Sequence, residues 1–287
     1  MNLLKSLGGV CAAGIFRRCA LLLLLTVGIA SAFPPAPYYT LYGIVRTWDS
    51  RNLTAEDGAE VILLKAGKPV GRTPITFSQI DQSYELKIRI DQMRTGTTPY
   101  TDKAIAASGL FSLEVSIGGV LYYPIEVSGN LTAGKGSERV RLDLTLGEDK
   151  DKDGLPDVWE QWQLYQAGAE DYEDLTLIDK NGDFDKDGQS NLMEYLAGTF
   201  AGDATERFGL SIKEKLPDSV RFEFFAITNK VYTIESSLDM QTWTRVAFAV
   251  GAPGTGAQAH QATDVAVLSA FAAPRSDTKE FYRLTVR

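Results

Sequence analysis

The chain has 287 residues, 29 of them basic and 37 acidic, for a formal net charge of −8, with 44% hydrophobic residues. That length holds one large domain or two small ones, and an acidic balance argues against nucleic acid, whose phosphates need clustered Lys and Arg. Cys11, Cys19 and His260 are the only cysteines and histidine, so a Cys/His zinc site is excluded and one imidazole is left for acid–base chemistry.

Residues 1–32 read as a signal peptide. Lys5, Arg17 and Arg18 give a positive start, Ala20 to Ala30 is apolar, and Ala30-Ser31-Ala32 is the small-residue pattern of a cleavage site before Phe33. Arg17-Arg18 fits either a generic basic start or twin-arginine export. The apolar stretch is short for a membrane span, and no other run approaches the ~20 residues that a spanning helix needs, so no transmembrane segment is expected in the mature chain. The expected location is therefore secreted, cell-surface or periplasmic. Removing three basic and no acidic residues takes the net charge to −11 and leaves a chain without cysteine, hence without disulfides.

Residues 33–147 alternate as strands and turns, and the sequence predicts an antiparallel β-sandwich of roughly seven strands. Tyr39–Val45 and Glu60–Leu64 are β-rich, and in Tyr84–Ile90 the apolar Leu86, Ile88 and Ile90 alternate with Lys87 and Arg89. Gly118-Gly119 separates Leu110–Ile117 from Val120–Val127 as a two-residue hairpin turn, and Val140, Leu142, Leu144 and Leu146 mark a final strand. The stretch from Tyr42-Gly43-Ile44-Val45 through Gly58-Ala59-Glu60-Val61-Ile62-Leu63 resembles carboxypeptidase-regulatory or transthyretin-like sandwiches.

Residues 148–203 concentrate the charge: sixteen acidic residues against four lysines, a net of −12, while the remainder nearly balances. From Asp149, carboxylates fall at positions 1, 3, 5, 9 and 12 (Asp149, Asp151, Asp153, Asp157, Glu160), with Gly154 at position 6. Calcium takes six to eight oxygens at about 2.3–2.6 Å, and alternate residues can face one centre while Lys150 and Lys152 point away. Gly154 permits the sharp turn, the Leu155 carbonyl supplies a backbone oxygen, Asp157 ligates directly or through water, and Glu160 closes the shell with both oxygens. Magnesium prefers fewer protein ligands and keeps its waters.

The spacing recurs 34 residues later, with Asp183, Asp185, Asp187, Gly188, Gln189, Asn191 and Glu194 at positions 1, 3, 5, 6, 7, 9 and 12. Gln189 would give its carbonyl and Asn191 its amide oxygen or a bridged water. Short helices should leave each loop. The first carries Val158, Trp159, Trp162 and Tyr165 as an apolar face packed between the loops and ends at Gly168; the second carries Leu192, Tyr195 and Leu196 and ends at Gly198. Asp179 and Asn181 precede the second loop at the same alternate spacing and either ligate a third ion or are solvated.

These strings, Asp151-Lys152-Asp153-Gly154-Leu155-Pro156-Asp157-Val158-Trp159-Glu160 and Asp185-Lys186-Asp187-Gly188-Gln189-Ser190-Asn191 to Glu194, resemble the EF-hand-like calcium loops of dockerins and thrombospondin type 3 repeats in secreted bacterial proteins. The resemblance covers residues 148–199. It departs from a paired EF-hand in two ways. A strand rather than a helix leads into the first loop, and Pro156 and Ser190 hold position 8, where an apolar bridging residue is usual; proline also lacks the N–H for that bridge. Pro156 suits the first turn of the exit helix instead.

Residues 204–287 form a second β region. Val220, Phe222 and Phe224 alternate with charged neighbours, as do Tyr232 with Ile234 and Tyr282, Leu284 with Val286; Asp264–Ala273 reads as a short helix stopped by Pro274. The stretch Tyr232–Asp239 with Trp243 resembles C-terminal β domains recurring on secreted bacterial proteins. The chain carries no zinc-protease helix, phosphate loop or nucleophile elbow, and His260 sits in a Gly/Ala loop. The expected fold class is thus mainly β, with a calcium-loop and short-helix module between two β domains. The expected function is a secreted, non-catalytic calcium-binding structural or interaction protein. The alternative is a module that binds carbohydrate or a cell-surface protein, with a hydrolase or its accessory subunit behind that.

Overall fold

The computed structural model describes residues 37–77, 79–91, 101–127, 129–275 and 279–287; the predicted leader and its cleavage point lie outside them. The fold is mainly β, as expected. In the N-terminal region the strands are β1 Tyr39–Gly43, β2 Val45–Arg46, β3 Ala59–Lys65, β4 Lys68–Pro74, β5 Tyr84–Ile88, β6 Ile90–Asp91, β7 Ile105–Ala106, β8 Leu110–Ile117, β9 Val120–Tyr122, β10 Leu131–Thr132, β11 Arg139–Arg141 and β12 Leu144–Thr145. One sheet runs β10-β8-β3-β4 with β9 on β8, and another runs β11-β1-β5. Their inner faces meet in a shared core that includes Leu41, Tyr84, Ile88, Val61, Leu63, Phe111 and Val115. Gly118 and Gly119 turn between β8 and β9 with φ of 58° and 87°, the left-handed pair that a two-residue hairpin requires.

Two expectations for this region change. The sandwich is not purely antiparallel, because β11 lies parallel to β1, β12 parallel to β2 and β7 parallel to β6. Parallel pairing needs a long crossover, and the chain between β2 and β11 supplies it. The single strand expected over Val140–Leu146 breaks at Leu142-Asp143, where the Leu142 carbonyl accepts from Tyr84 Oη at 2.6 Å and Asp143 Oδ1 accepts from the Ile44 amide at 3.0 Å. Val140 is left exposed while Leu144 and Leu146 are buried. Gly43 permits this crossing, since a Cβ there would lie 2.3 Å from the Leu142 carbonyl oxygen.

The C-terminal strands are β13 Ser211–Lys215, β14 Val220–Ala226, β15 Val231–Ser237, β16 Thr244–Val246, β17 Phe248–Val250, β18 His260–Gln261, β19 Ala266–Ala272 and β20 Phe281–Val286. Sheet β13-β14-β19-β17 faces sheet β16-β15-β18, with β20 also on β15, over a core that includes Phe222, Phe224, Tyr232, Ile234 and Phe248. The helix expected over Asp264–Ala273 is strand β19 instead. It pairs along its whole length with β14, and its last three residues, Ala270–Ala272, pair with β17 on the other edge. Its core face carries Ala270 and Ala272, small enough to let Phe222 and Phe224 fill the interior, and tertiary pairing overrides alanine's helix preference. His260 lies not in a loop but on β18, opposite Tyr232, and burial lowers its pKa.

Helices α1 Asp157–Gln166 and α2 Asn191–Ala197 lie in the segment between the β regions, over a third cluster of Leu155, Trp159, Leu164, Ile178, Tyr195 and Ala201. The loop at residues 47–52 ties the pieces together. The Thr47 carbonyl accepts from Tyr195 Oη at 3.0 Å, the Ser50 carbonyl accepts from Lys230 Nζ at 2.6 Å, and Asn52 Nδ2 donates to the Asn229 and Arg287 carbonyls at 2.9 and 3.0 Å. Asn52 itself is fully buried.

Candidate metal centre

Both acidic loops fold by the same local rules. The position 1 carboxylate accepts from the glycine amide at position 6, Asp149 from Gly154 at 3.1 Å and Asp183 from Gly188 at 2.9 Å. Position 3 accepts from the amide of position 5, Asp151 from Asp153 at 3.4 Å and Asp185 from Asp187 at 3.0 Å. Position 5 accepts from the amide of position 7, at 2.7 Å in both Asp153–Leu155 and Asp187–Gln189. Position 9 accepts from the amide of position 2, Asp157 from Lys150 at 2.8 Å and Asn191 from Phe184 at 3.0 Å. Short Asp and Asn side chains favour such turns over helix or strand. Lys152 and Lys186 at position 4 share φ of 64° and 65°, and Gly154 and Gly188 share 98° and 95°, a conformation in which glycine avoids the Cβ penalty.

The folding of the loops gathers the carboxylates. Carboxylate oxygens of Asp149, Asp151 and Asp157 lie within 4.8 Å of one another, as do those of Asp151, Asp153 and Glu160, so all five acids of the first loop connect through Asp151. In the second loop Asp183, Asp185 and Asp187 form such a group. Each exit helix then swings its glutamate underneath. Glu160 and Glu194 are both 0% exposed, and both oxygens of each are buried with no hydrogen-bond partner. One oxygen each of Asp149 and Asp185 shares that condition. An ionised, buried and unpartnered carboxylate costs several kcal/mol, on the order of a whole domain's net stability when four oxygens are involved.

The electrostatics follow. Burial pushes the Glu160 carboxyl up to about 9, and the neighbouring Asp153, Asp151, Asp157 and Asp149 charges push it further in the same direction. Burial also raises Glu194 to about 8, with Asp185, Asp187 and Asp183 adding to it. Asp151 and Asp185 are raised as well, first by burial. Such a cluster binds either protons or a cation. The grouped carboxylates could hold a metal ion, whose charge would oppose these shifts.

The remaining sequence-predicted residues are placed as follows. Asn191 is buried, with Oδ1 accepting from Phe184 and Nδ2 donating to the Asp179 carbonyl at 2.7 Å, so its amide fastens the loop. The Gln189 side chain bonds the Phe208 backbone in both directions, at 3.2 and 3.1 Å, which leaves only its carbonyl for the loop. Leu155 is buried in the helical cluster, and its amide donates to Asp153. Asp179 Oδ1 accepts from the Asn181 amide at 2.8 Å, and neither residue joins an acidic group among the described residues.

Several features were not visible from the spacing. Lys150 does not point away: its ammonium lies 3.1 Å from Asp157 Oδ2, because the surrounding negative charge draws the nearest flexible cation. Arg207 Nε sits likewise 3.1 Å from Asp187 Oδ2. Lys180 joins the two loop segments: its amide donates to Asp153 Oδ2 at 2.7 Å and its carbonyl accepts from the Leu192 amide at 3.0 Å. Pro156 is the N-cap of α1, and Ser190 caps α2 by accepting from the Met193 amide at 3.3 Å.

The expected apolar face of α1 is only partly buried. Trp159 packs edge-on to Tyr195 at 5.2 Å between ring centroids, but Val158, Trp162 and Tyr165 are exposed. The helix turns inward along Trp159, Glu160, Gln163 and Leu164, because Glu160 must reach the first loop and Gln163 Oε1 must accept from Ala201 at 2.9 Å. On α2 Tyr195 is buried with Leu192 and Leu196 packed against the cluster, and Gly198 ends the helix at φ 80°. No protein-family model, curated protein or solved structure matches the chain.

Proposed function

We propose that the chain is an exported, non-catalytic calcium-binding protein whose 148–203 module, ordered by two ions, holds the two β regions in a fixed relation. The observation that carries this reading is the pair of glutamates, Glu160 and Glu194, each with two buried oxygens without a hydrogen-bond partner. Glu160 groups with Asp151 and Asp153, and Glu194 lies outside the Asp183, Asp185 and Asp187 group but within reach of their charge. A third loop acid, Asp157, is buried as well, with one oxygen on the Lys150 amide and the other facing only the Lys150 ammonium. The resemblance to dockerin and thrombospondin type 3 loops and the basic and apolar start of residues 1–32 support export to the periplasm, cell surface or medium. Affinity in the range of about 10⁻⁵ to 10⁻³ M would suit an extracellular site.

Thermal melting with calcium and with chelator tests the reading, together with calorimetric titration of the metal-free chain. The expected result is two bound ions and a higher melting temperature in calcium than in magnesium at equal concentration. Equal melting in calcium and chelator overturns it. A carbohydrate- or cell-surface-binding role is the second reading, supported by the exposed Val120, Leu121, Tyr122 and Tyr123 at the β9 edge. A glycan array tests it, with retention lost on Tyr123→Ala as the expected outcome and no retention on any glycan as the refuting one.

A further inference from the structure

Four arginines converge on a cleft at the junction of the two β regions, far in character from the acidic loops. The cleft measures about 410 Å³ and its wall includes Tyr42, Asp81, Arg139, Arg141, Arg245 and Arg287. Arg139 and Arg141 come from β11, Arg245 from β16 and Arg287 from the residue after β20. Asp81, held at φ 70°, is the shared acceptor. Its Oδ1 lies 3.0 Å from Arg141 Nη2, and its Oδ2 lies 2.8 Å from Arg287 Nη1 and 3.4 Å from Arg245 Nη1. Arg139 reaches the Gln82 side-chain oxygen at 2.5 Å and Glu85 at 3.2 Å, and its guanidinium carbon lies over the Tyr42 ring, 3.6 Å from the centroid.

Charge and geometry both leave this cluster open to a guest. Cations outnumber carboxylates in both ion-paired sets: Arg46, Arg141, Arg245 and Arg287 share Asp81 and Asp143, and Arg139 and Lys87 share Glu85. Each guanidinium carries five N–H donors in a fixed fork, so one carboxylate cannot satisfy three of them. Asp81 is sunk at 11% side-chain exposure, whereas Arg139, Arg245 and Arg287 keep 46%, 34% and 33%, so their unused donors face the cleft and solvent. The Tyr42 ring holds the Arg139 guanidinium in place in advance, which lowers the entropic cost of binding. The volume falls within the range of small-molecule sites, and a wall so dominated by charged and amide groups selects a polar ligand. A clamp between β regions would need only the Asp81 pairs with Arg245 and Arg287; Arg139 and Arg141, on the same side as Asp81, add nothing to it.

We propose that this cleft binds a sugar-sized oxyanion, with its carboxylate or phosphate group gripped by the unused donors of Arg139, Arg245 and Arg287. A sugar acid and a phosphorylated sugar present the same anionic chemistry to guanidinium, and titration separates them. Calorimetry on the full chain at low ionic strength in calcium uses galacturonate, glucose 6-phosphate and neutral galactose as probes. At least one charged sugar should bind and galactose should not, and the stronger of the two charged probes assigns the anion. Arg139→Ala and Arg245→Gln should each weaken that binding by about tenfold or more, and Arg72→Gln, on the β4 surface, should leave it unchanged. Should Arg245→Gln fail to fold, Arg139→Lys, which keeps the charge and loses the fork, carries the same expectation. No heat with either anionic sugar, equal binding of galactose, or full affinity in the folded Arg139 variants overturns the proposal.

Discussion

Glu160→Gln separates two energies that meet in the first loop, because it is expected to change stability with opposite sign in chelator and in calcium. Without a cation, the folded carboxyl titrates at about 9 against an ordinary 4.5, mainly through burial. A carboxyl raised in this way contributes its full stability below about 4.5 and loses it as pH rises through about 9, since the folded chain holds a proton that the unfolded chain releases. At pH 7 that difference is at most about 3 kcal/mol, and water at the exposed Asp151 side of the loop screens it to about 1–3 kcal/mol. Glutamine needs no proton, so the variant should melt higher than the parent in chelator at pH 7, by roughly 2–12 °C for a chain of this size. The gain should vanish below about pH 4.5, where the parent carboxyl is neutral in both states. In calcium the order should reverse. A site at a thousand times its dissociation constant contributes about 4.1 kcal/mol, and after the gain from the missing proton is subtracted its loss lowers stability by a net ~1–3 kcal/mol, or melting by roughly 2–12 °C. Calorimetric stoichiometry should fall from two ions to one, with the Glu194 loop intact. Differential scanning calorimetry across pH in both conditions reads all of this. A variant less stable than the parent in chelator, or one that keeps two calcium ions, refutes the reasoning.

Three further outcomes are expected. Calcium binding should release protons at pH 7, since burial holds Glu160 and Glu194 up at about 9 and about 8; titrations in buffers of different ionisation enthalpy measure the release, and apparent affinity should rise from pH 6 toward pH 9. Gly198→Ala should cost about 1–2 kcal/mol by denaturant melting, because the residue sits at φ 80° and its new Cβ would lie 2.9 Å from Ile227 Cδ1. Lys230 is buried beside Ser50 and burial lowers its pKa to about 7, so the folded chain, kept in calcium, should gain stability as pH rises from about 7 to about 10.5. Lys230→Met should flatten that slope, and an unchanged slope would place the titration elsewhere.

The two acidic loops were legible because their contacts are local. A carboxylate at position 1 reaches the amide at position 6 whatever lies around it, so spacing alone fixes where Asp149, Asp151 and Asp153 gather and why Gly154 follows. The alternations in β5 and β14 were legible for a similar reason: one buried face leaves a period-two record. Sequence patterns could not show which partner a segment meets. Val265, Leu268 and Phe271 are spaced as a helical face, and only the pairing of β19 with β14 and β17 makes Ala266–Ala272 a strand. Trp162 and Tyr165 look like core residues by spacing, yet the demand that Glu160 and Gln163 turn inward rotated them outward. The arginine cleft left no trace at all. Its members lie up to 206 residues from Asp81, and what assembles them is the packing of one β region against the other.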